Sequence, residues 1–438
     1  MGKKITIIGA GSSMFTPQLI SLLIQSKTLA GSTVALMDIN SRRLELMEKL
    51  SRMLIEQTGA DLKVQATTNQ LEALTAADFV IVAISAGGFD AWEKDIEIPA
   101  KYGVFVPFGD SVGPGGILRA FRHVHPMVQI CKDLEKVSPK AWLFNYTNPA
   151  SALCWIMRRE SFIHTVSMCT NTVQLRQDKF MANVAGVKPG EVVMPIKLAG
   201  INHCSLITEM RLKDGTDALE LVRKKAKHPI VRWGLETHHI LPVVWPHWVE
   251  FYPSLCKLVG KYEGRAQGLF LTYGSQVKDM QIETGRIRTW EKLVGQWVAG
   301  EGKPSIEAIP ETEPVQLIEV MESMVEDKKE FHGVNVPNHG VIENMPDDSI
   351  VEVMAVIGAN QVQPLQVGRI PDEIASFLKL HTDVQKLTAL AGLTGDRKTA
   401  LQAMELDPFV AANLELKQIP LMLDEMLLAH KDNLPQFK

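Results

Sequence analysis

The chain has 438 residues, 46% of them hydrophobic, and a formal net charge of −4. Its length indicates two domains or one elaborate domain with a large core. Basic blocks and apolar runs of about 18 residues are absent, which argues against a nucleic-acid partner, a membrane surface and a membrane span. Five cysteines without a CxxC pair predict a reducing cytoplasm rather than a disulfide framework.

The first part of the chain alternates between buried-strand and helix patterns. The run KKITIIGAG predicts a strand that ends in glycine, and FTPQLISLLIQSK after it has the apolar spacing of a helix. A second strand ends at Asp38, and an amphipathic helix follows it and stops at Gly59. Further strands are predicted in LKVQATT, ADFVIVAISAGG and AWLFNYTNPAS. This alternation predicts an α/β fold, with a Rossmann-like doubly wound parallel sheet in residues 1–195.

Residues 196–438 have a less regular pattern, which predicts a mixed α+β domain. Strand-like alternation runs through VIENMPDDSIVEVMAVIGANQVQPLQVG. Helices are predicted in LHTDVQKLTALAGLTGDRKTALQAMEL and, despite its proline, in ANLELKQIPLMLDEMLLAHKDNL.

The segment GAGSSMFTP follows the first strand and opens the first helix. Gly9 permits a tight turn, Gly11 lets the backbone approach a pyrophosphate at the helix N-terminus, and Ser12 can donate a further hydrogen bond. Asp38, at the end of the next strand, can accept from a ribose 2′-hydroxyl and so favours NAD over NADP, although Arg43 softens that preference. The third glycine of the usual fingerprint is missing. The context nevertheless favours an NAD site over a glycine turn without a ligand.

Residues beside this turn, and those at the end of the ADFVIVAISAGG strand, are expected to border the same cofactor. They are Met14, Phe15, Ser85, Ala86 and Gly87.

Several further motifs occur in a fixed order. The glycine turn is followed by FGDSVGPGGILRAFRHVHP, NYTNPAS, the isolated Cys169 and GINHCSLI, and then by VPNHGVIENMP, VQPLQVG, LTGDR and LDPF. This ordered set resembles glycoside hydrolase family 4, whose members are NAD- and divalent-metal-dependent glycosidases. The resemblance spans nearly the whole chain and is strongest to the branch that acts on non-phosphorylated sugars: α-glucosidases, α-galactosidases and uronidases.

The resemblance implies that Cys169 and His203 hold a Mn²⁺-type ion. Two protein ligands leave positions open for substrate oxygens, as a catalytic metal requires. Taken alone, a buried cysteine or histidine is more often structural. The resemblance also implies that Asn148 binds the sugar near the metal and that Asn145 lies on the nicotinamide side.

Further substrate contacts are expected from Asp110, Thr170, Asn171 and His203 itself. Residues 196–438 would then carry substrate, metal and oligomer contacts, in a homodimer or homotetramer that binds a small-molecule glycoside.

The chemistry implied by the family explains a redox cofactor in a hydrolase. NAD⁺ takes hydride from sugar C3, and the ketone so formed acidifies the C2 proton. A base removes that proton, the aglycone leaves from C1, water adds to the enone, and the hydride returns.

Two departures leave the acid and the base open. Thr170 follows the cysteine where relatives carry His or Asp, and its hydroxyl is too weak an acid at neutral pH. In LPVVWPHWVEFYPSL, Trp and Pro stand where relatives carry Asp and Arg. The candidate bases are therefore Tyr252, His247, His238 and His239, and the alternative for Tyr252 is a place in the core.

Two other functions remain open from the sequence. A dehydrogenase of the lactate/malate type shares the Rossmann start, but it does not explain Cys169 together with His203. A non-catalytic NAD- or sugar-binding protein would explain the altered acid and base positions.

Overall fold

The structure, a computed structural model, describes residues 2–106, 108–243, 245–255, 273–309 and 315–437. One of the five cysteines, Cys256, lies outside these residues. Within them, no helix combines the length and apolar character needed to cross a membrane.

A nine-stranded sheet forms the centre of the molecule, in the order β12-β11-β10-β6-β5-β4-β1-β2-β3. The six strands from β3 to β6 are parallel, and β10, β11 and β12 extend the sheet in antiparallel fashion. A separate antiparallel sheet has the order β7-β8-β9. The strands are β1 (Lys4–Ile8), β2 (Ser32–Met37), β3 (Leu62–Thr67), β4 (Phe79–Val82), β5 (Trp142–Asn145), β6 (His164–Ser167), β7 (Lys197–Ile201), β8 (Cys204–Glu209), β9 (Leu241–Pro242), β10 (Glu330–Pro337), β11 (Ile350–Gly358) and β12 (Gln361–Pro364).

Helices pack against the large sheet and around the small one. They are α1 (Phe15–Gln25), α2 (Ser41–Thr58), α3 (Gln70–Leu74), α4 (Gly88–Lys101), α5 (Gly113–Val137), α6 (Ala150–Glu160), α7 (Asp178–Ala185), α8 (Ala218–Lys225), α9 (Pro229–Thr237), α10 (Trp245–Phe251), α11 (Tyr273–Val298), α12 (Val315–Glu326), α13 (Asp372–Thr394), α14 (Arg397–Leu406), α15 (Pro408–Asn413) and α16 (Ile419–Ala429). Short 3-10 helices span Thr170–Arg176, Ile306–Ala308 and Lys431–Asn433.

The parallel strand order β3-β2-β1-β4-β5-β6 confirms the predicted Rossmann-like sheet. The inner strand β4 is a continuous apolar run that is buried throughout, because helices cover both faces of the sheet there, whereas the edge strand β3 begins with alternating buried and exposed residues. The helix predicted to stop at Gly59 is α2, which Asn40 caps at its N-terminus and Gly59 ends in the left-handed conformation.

The two halves of the chain share one sheet, because β10 from the second half pairs with β6 from the first, with Asn335 opposite Ser167. The second half also packs on the first through α13, which contacts α5 and α6. The division into residues 1–195 and 196–438 stays a prediction.

One predicted helix is shorter than expected. The segment ANLELKQIPLMLDEMLLAHKDNL was predicted to be helical throughout, but α16 begins only at Ile419, with Pro420 in its first turn. Proline lacks the N–H that a helix interior needs, and it restricts the residue before it, so it is placed where a helix starts.

A buried ion pair joins α4, α5 and the end of the chain. Arg122 donates to both carboxylate oxygens of Asp95, at 2.8 and 2.5 Å, and neither side chain is exposed. His430 Nε2 lies 3.0 Å from the same carboxylate. Arg122 Nε also donates to the backbone carbonyl of Ala86, at 3.2 Å, so the pair is connected to the loop after β4.

Replacing Asp95 with alanine should lower the free energy of unfolding by about 3–5 kcal/mol, because the Arg122 guanidinium would stay buried without its counter-charge. Asp424→Ala, which removes the partner of Arg397 in an exposed pair, is the control and should cost less than about 1 kcal/mol. Urea unfolding monitored by circular dichroism compares the two, and equal losses would contradict the role of burial.

His332, on β10, is buried, and neither ring nitrogen has a hydrogen-bond partner among the described residues. Burial, with a smaller contribution from Arg176, lowers the pKa of His332 to about 3. The imidazole is therefore neutral in the folded chain. The unfolded chain binds a proton below pH about 6.5, so His332 lowers stability increasingly as the pH falls from 6.5 towards 3.

His332→Leu removes this titration. Its effect on the free energy of unfolding should be about 2 kcal/mol more favourable at pH 5 than at pH 7.5, because only the wild-type unfolded state gains a proton in that range. Urea unfolding of both proteins at the two pH values measures the difference. An identical effect at both values would show that His332 titrates alike in the folded and unfolded states.

Candidate active site

The parallel sheet reverses its strand order between β1 and β4, which opens a crevice at the carboxyl ends of these strands. The turn after β1 fills one side of it. Gly9 has φ +90°, and a Cβ on Gly11 would lie 2.8 Å from Asp38 Oδ2 and 3.0 Å from the Arg43 Cβ. Both positions therefore require glycine, as the fingerprint predicted.

Asp38 lies at the end of β2, where it accepts hydrogen bonds from the backbone N–H groups of Gly11 and Asn40, each at 2.8 Å. Arg43 is paired with Glu291 of α11 at 3.2 Å. The neighbouring Trp290 donates its indole N–H to the carbonyl of Ser13 at 2.5 Å. The helix α11 thus packs over the glycine turn and holds the arginine that was expected to weaken a preference for NAD.

The loop after β4 faces the glycine turn and contains the predicted residues Ser85, Ala86 and Gly87. Its backbone is held by α5, because the Ala86 N–H donates to His123 Nε2 at 2.9 Å. Burial lowers the pKa of His123 to about 3, which keeps Nε2 unprotonated and able to accept. The Ile84 N–H donates to Thr147 Oγ1 at 3.0 Å, which connects this loop to the turn after β5.

The turn after β5 orients Asn148 towards the predicted substrate residue Asp110. Asn148 Nδ2 donates to Asp110 Oδ2 at 2.8 Å, and Arg119 Nε donates to the Asn148 carbonyl at 3.2 Å. Burial raises the pKa of Asp110, whereas the positive charge of Arg119 and the hydrogen bond from Asn148 lower it, and the pKa lies below its ordinary value. Asn145 is fully buried and bonds Thr147 and Ser167, so it shapes the turn.

His203 lies in the tight turn between β7 and β8 with φ +68°, an uncommon conformation for a residue with a side chain. Its Nδ1 lies 3.1 Å from Ser111 Oγ, and among the described residues no hydrogen bond is made by Nε2. Burial, with His247 adding to it, lowers the pKa of His203 to about 3. A neutral imidazole with one nitrogen anchored and one free is the arrangement of a metal ligand.

His247 of α10 stacks on His203, with ring centroids 4.2 Å apart, and also contacts the ring of Phe108. Its Nδ1 lies 2.6 Å from Glu250 Oε1, one helical turn further on, and Glu250 Oε2 accepts from the Gly109 N–H at 3.2 Å. Burial raises the pKa of Glu250 to about 7, although the hydrogen bond with His247 and the charge of His247 lower it. Burial lowers the pKa of His247, but the bond and the charge of Glu250 outweigh it and raise the pKa above its ordinary value.

The potential ligand atoms of His203, His247 and Glu250 all lie within 4.8 Å of one another, close enough to surround one metal ion. Cys169 lies nearby, at the end of β6, with its thiol buried. Burial and the Glu352 carboxylate raise the pKa of Cys169 well above its ordinary range, although polar contacts with Asn171 and Asn202 lower it. Asn202 directly precedes His203, so the sulfur borders the turn that carries the imidazole.

The structure therefore brings together Asp110, Asn148, His203 and His247, and it places Cys169 in contact with Asn202, the residue before His203. Thr170 and Asn171 follow Cys169 in the 3-10 helix.

The other candidate bases lie elsewhere. The Tyr252 ring packs against Trp233 and Phe377, with centroids 5.5 and 4.8 Å apart. His238 and His239 bond carboxylates at the protein surface, Glu373 at 2.7 Å and Asp217 at 3.2 Å.

Sequence reasoning missed Ser111, Glu250 and Glu352. Glu250 had a usable signal, because it stands three residues after His247 in a helix and so shares its face. The partners of Ser111 and Glu352 come from distant parts of the chain, and no spacing along the sequence indicates them.

Family models match both halves of the chain. "Family 4 glycosyl hydrolase" matches residues 4–186, and "Family 4 glycosyl hydrolase C-terminal domain" matches residues 198–410. The chain is 30% identical to an alpha-galactosidase of Bacillus subtilis (strain 168), over 100% of both chains. It is also 30% identical to an alpha-glucosidase of Erwinia rhapontici, over 98% of both chains. The chain belongs to family 4 of the glycosyl hydrolases, as the ordered motifs predicted.

Solved structures agree with this fold. A 6-phospho-alpha-glucosidase from gut microorganisms, solved in complex with NAD and Mn²⁺, superposes with a TM-score of 0.83 at 21% identity, over 100% of both chains.

Proposed function

We propose that the chain is an NAD- and Mn²⁺-dependent glycosidase that acts on a non-phosphorylated hexoside or uronoside. The observation that carries this proposal is a series of polar contacts that connects the cofactor crevice to the turn that carries His203. Ile84, in the loop after β4, bonds Thr147; Asn148 bonds Asp110; and Ser111 contacts His203. These contacts connect the crevice expected to hold the nicotinamide to the histidine expected to hold the metal.

The proposed metal ligands are Cys169 and His203. Sulfur and imidazole suit a divalent transition ion, and the raised pKa of the Cys169 thiol means that metal binding would release its proton. The proposed NAD site comprises Gly9, Gly11, Ser12, Asp38 and the loop after β4, with Met14, Phe15, Arg43 and Asn145 at its borders. Asp38 would accept from the ribose, and Ile39, 90% exposed, offers apolar surface to the adenine.

When bound, NAD⁺ accepts a hydride from the sugar, and the cation polarises the oxygens of the oxidised ring. Asp110 and Asn148 would bind sugar hydroxyls, helped by Thr170 and Asn171. His247 Nε2 would accept the C2 proton, because Glu250 holds the other ring nitrogen and favours the charge that develops. Tyr252 is the competing candidate. The names of the alpha-galactosidase and the alpha-glucosidase support a sugar without phosphate. A relative named as a probable 6-phospho-beta-glucosidase, also 30% identical, and the solved phospho-glucosidase are the reason to test both classes.

We also propose that the protein is a cytoplasmic homo-oligomer, a dimer or a tetramer. The four described cysteines, Cys131, Cys154, Cys169 and Cys204, are free, as a reducing compartment favours. The end of the chain carries exposed leucines that suit a subunit contact: Leu416, Leu421 and Leu428.

Purified protein with NAD⁺ and Mn²⁺ should release nitrophenol from aryl hexosides or aryl uronosides without stoichiometric NADH. Cys169→Ser and His203→Ala should each abolish turnover and weaken Mn²⁺ binding. Cys131→Ala, which alters a buried cysteine of α5 that packs in the core, is the control and should retain both.

Each other outcome contradicts the proposal in a specific way. Stoichiometric NADH would indicate a dehydrogenase, and NAD binding without turnover would indicate a binding protein. Hydrolysis of 6-phosphoglycosides alone would place the chain in the phosphosugar branch.

His247→Gln should lower kcat by about 10²- to 10⁴-fold, because it removes the proton acceptor, while Tyr252→Phe should change kcat by less than about threefold. Solvent exchange of the substrate C2 proton, followed by NMR in D₂O, should be lost with His247→Gln. If Tyr252→Phe abolishes the exchange and His247→Gln does not, the tyrosine is the base.

A further inference from the structure

A buried glutamate, Glu352, lies near the start of β11, with no exposed surface. Its Oε1 accepts from Asn335 Nδ2 at 2.9 Å and from Asn202 Nδ2 at 3.3 Å, and its Oε2 accepts from Ser205 Oγ. The backbone N–H of His203 makes a further polar contact with the carboxylate. All of these groups donate hydrogen bonds to it.

The strand register places Glu352 at the end of a polar row that crosses the core. Asn145 of β5 is paired with Ser167 of β6, Ser167 with Asn335 of β10, and Asn335 with Glu352. All four side chains are fully buried. Burying such polar groups costs free energy unless their hydrogen bonds are made. We therefore expect this polar row to have a function.

Glu352 joins the two sheets at the proposed metal site. From the large sheet it reaches the turn between β7 and β8, where it bonds the residue before His203 and Ser205 after it. Asn202, which Glu352 holds, makes the polar contact with Cys169. The Glu352 carboxylate thus holds the turn that carries His203. Through the Asn202 amide, it is also connected to the Cys169 thiol.

Among the described residues, no lysine, arginine or histidine forms an ion pair with Glu352. An isolated buried carboxylate is expensive, and a divalent cation bound at the adjacent site would offset its charge.

We propose that Glu352 is a positioning residue for the metal site: it sets the His203 turn directly and the Cys169 thiol through Asn202, and it adds negative charge next to the cation. This role rests on the proposed function, because it presupposes a metal at Cys169 and His203. Glu352 does not touch the cation; it acts through the two ligands, as outer carboxylates do at other metal sites.

Glu352→Gln keeps the shape of the side chain but turns one acceptor into a donor that faces other donors. Asn202→Ala removes the link to the thiol and leaves the carboxylate in place. Each change should weaken Mn²⁺ binding about 10- to 100-fold, measured as free Mn²⁺ by electron paramagnetic resonance. NAD⁺ binding, measured by calorimetry, should stay within about twofold, which a general loss of structure would not allow.

The matched controls are Glu330→Gln, on the neighbouring strand β10 and partly exposed, and Asn344→Ala, which removes an amide away from the site. Both should bind Mn²⁺ like the wild type. If Glu352→Gln does not fold, Asn202→Ala decides alone. Wild-type affinity in the folded variants overturns the role of Glu352 and leaves the proposed function intact. Absence of Mn²⁺ binding in the wild type overturns both.

Discussion

The hydrogen bond between Asn148 and Asp110 is the contact on which the arrangement of the site depends. Asn148 belongs to the turn after β5, beside the crevice at the strand reversal, and Asp110 belongs to the glycine-rich loop that leads into α5. Through Ser111 this loop also reaches His203, which lies in the small sheet. Three segments far apart in the chain therefore meet within a few ångströms. Each is rigid for its own reason: the end of a strand, the start of a helix and a tight hairpin turn.

The amino-acid sequence was sufficient for the regular part of the fold. Apolar runs specify β1, β2 and β4, with glycine after the first and the last of them, and the cap at Asn40 and the stop at Gly59 define α2 closely. These are local signals, formed by neighbouring residues in the chain. The dependence on local signals also explains why the helix that became α16 was predicted too long. The apolar pattern continues across residues 412–418, but the proline starts α16 only at Ile419.

The sequence named several members of the proposed site but not their arrangement in space. Cys169, His203, Asp110 and Asn148 came from a resemblance of ordered motifs, and His247 came from a motif in which Trp and Pro stand where relatives carry Asp and Arg. The pairing of His247 with Glu250 follows only once their segment is known to form the helix α10, which places both side chains on one face. Glu352 lies about 150 residues from the turn that it holds, and buried carboxylates have no signature in a hydrophobicity pattern. Long-range polar contacts of this kind arise only once the sheet has formed.

The pairing of β10 with β6 has a consequence for the newly synthesised chain. Until β10 emerges, more than a hundred residues after it, the strand His164–Ser167 is the outer edge of a parallel sheet with unpaired backbone N–H and C=O groups. Such an edge is a template for pairing with other chains. The nascent N-terminal half is therefore exposed to aggregation for as long as the ribosome takes to reach β10, and its yield should depend on chaperones that shield that edge.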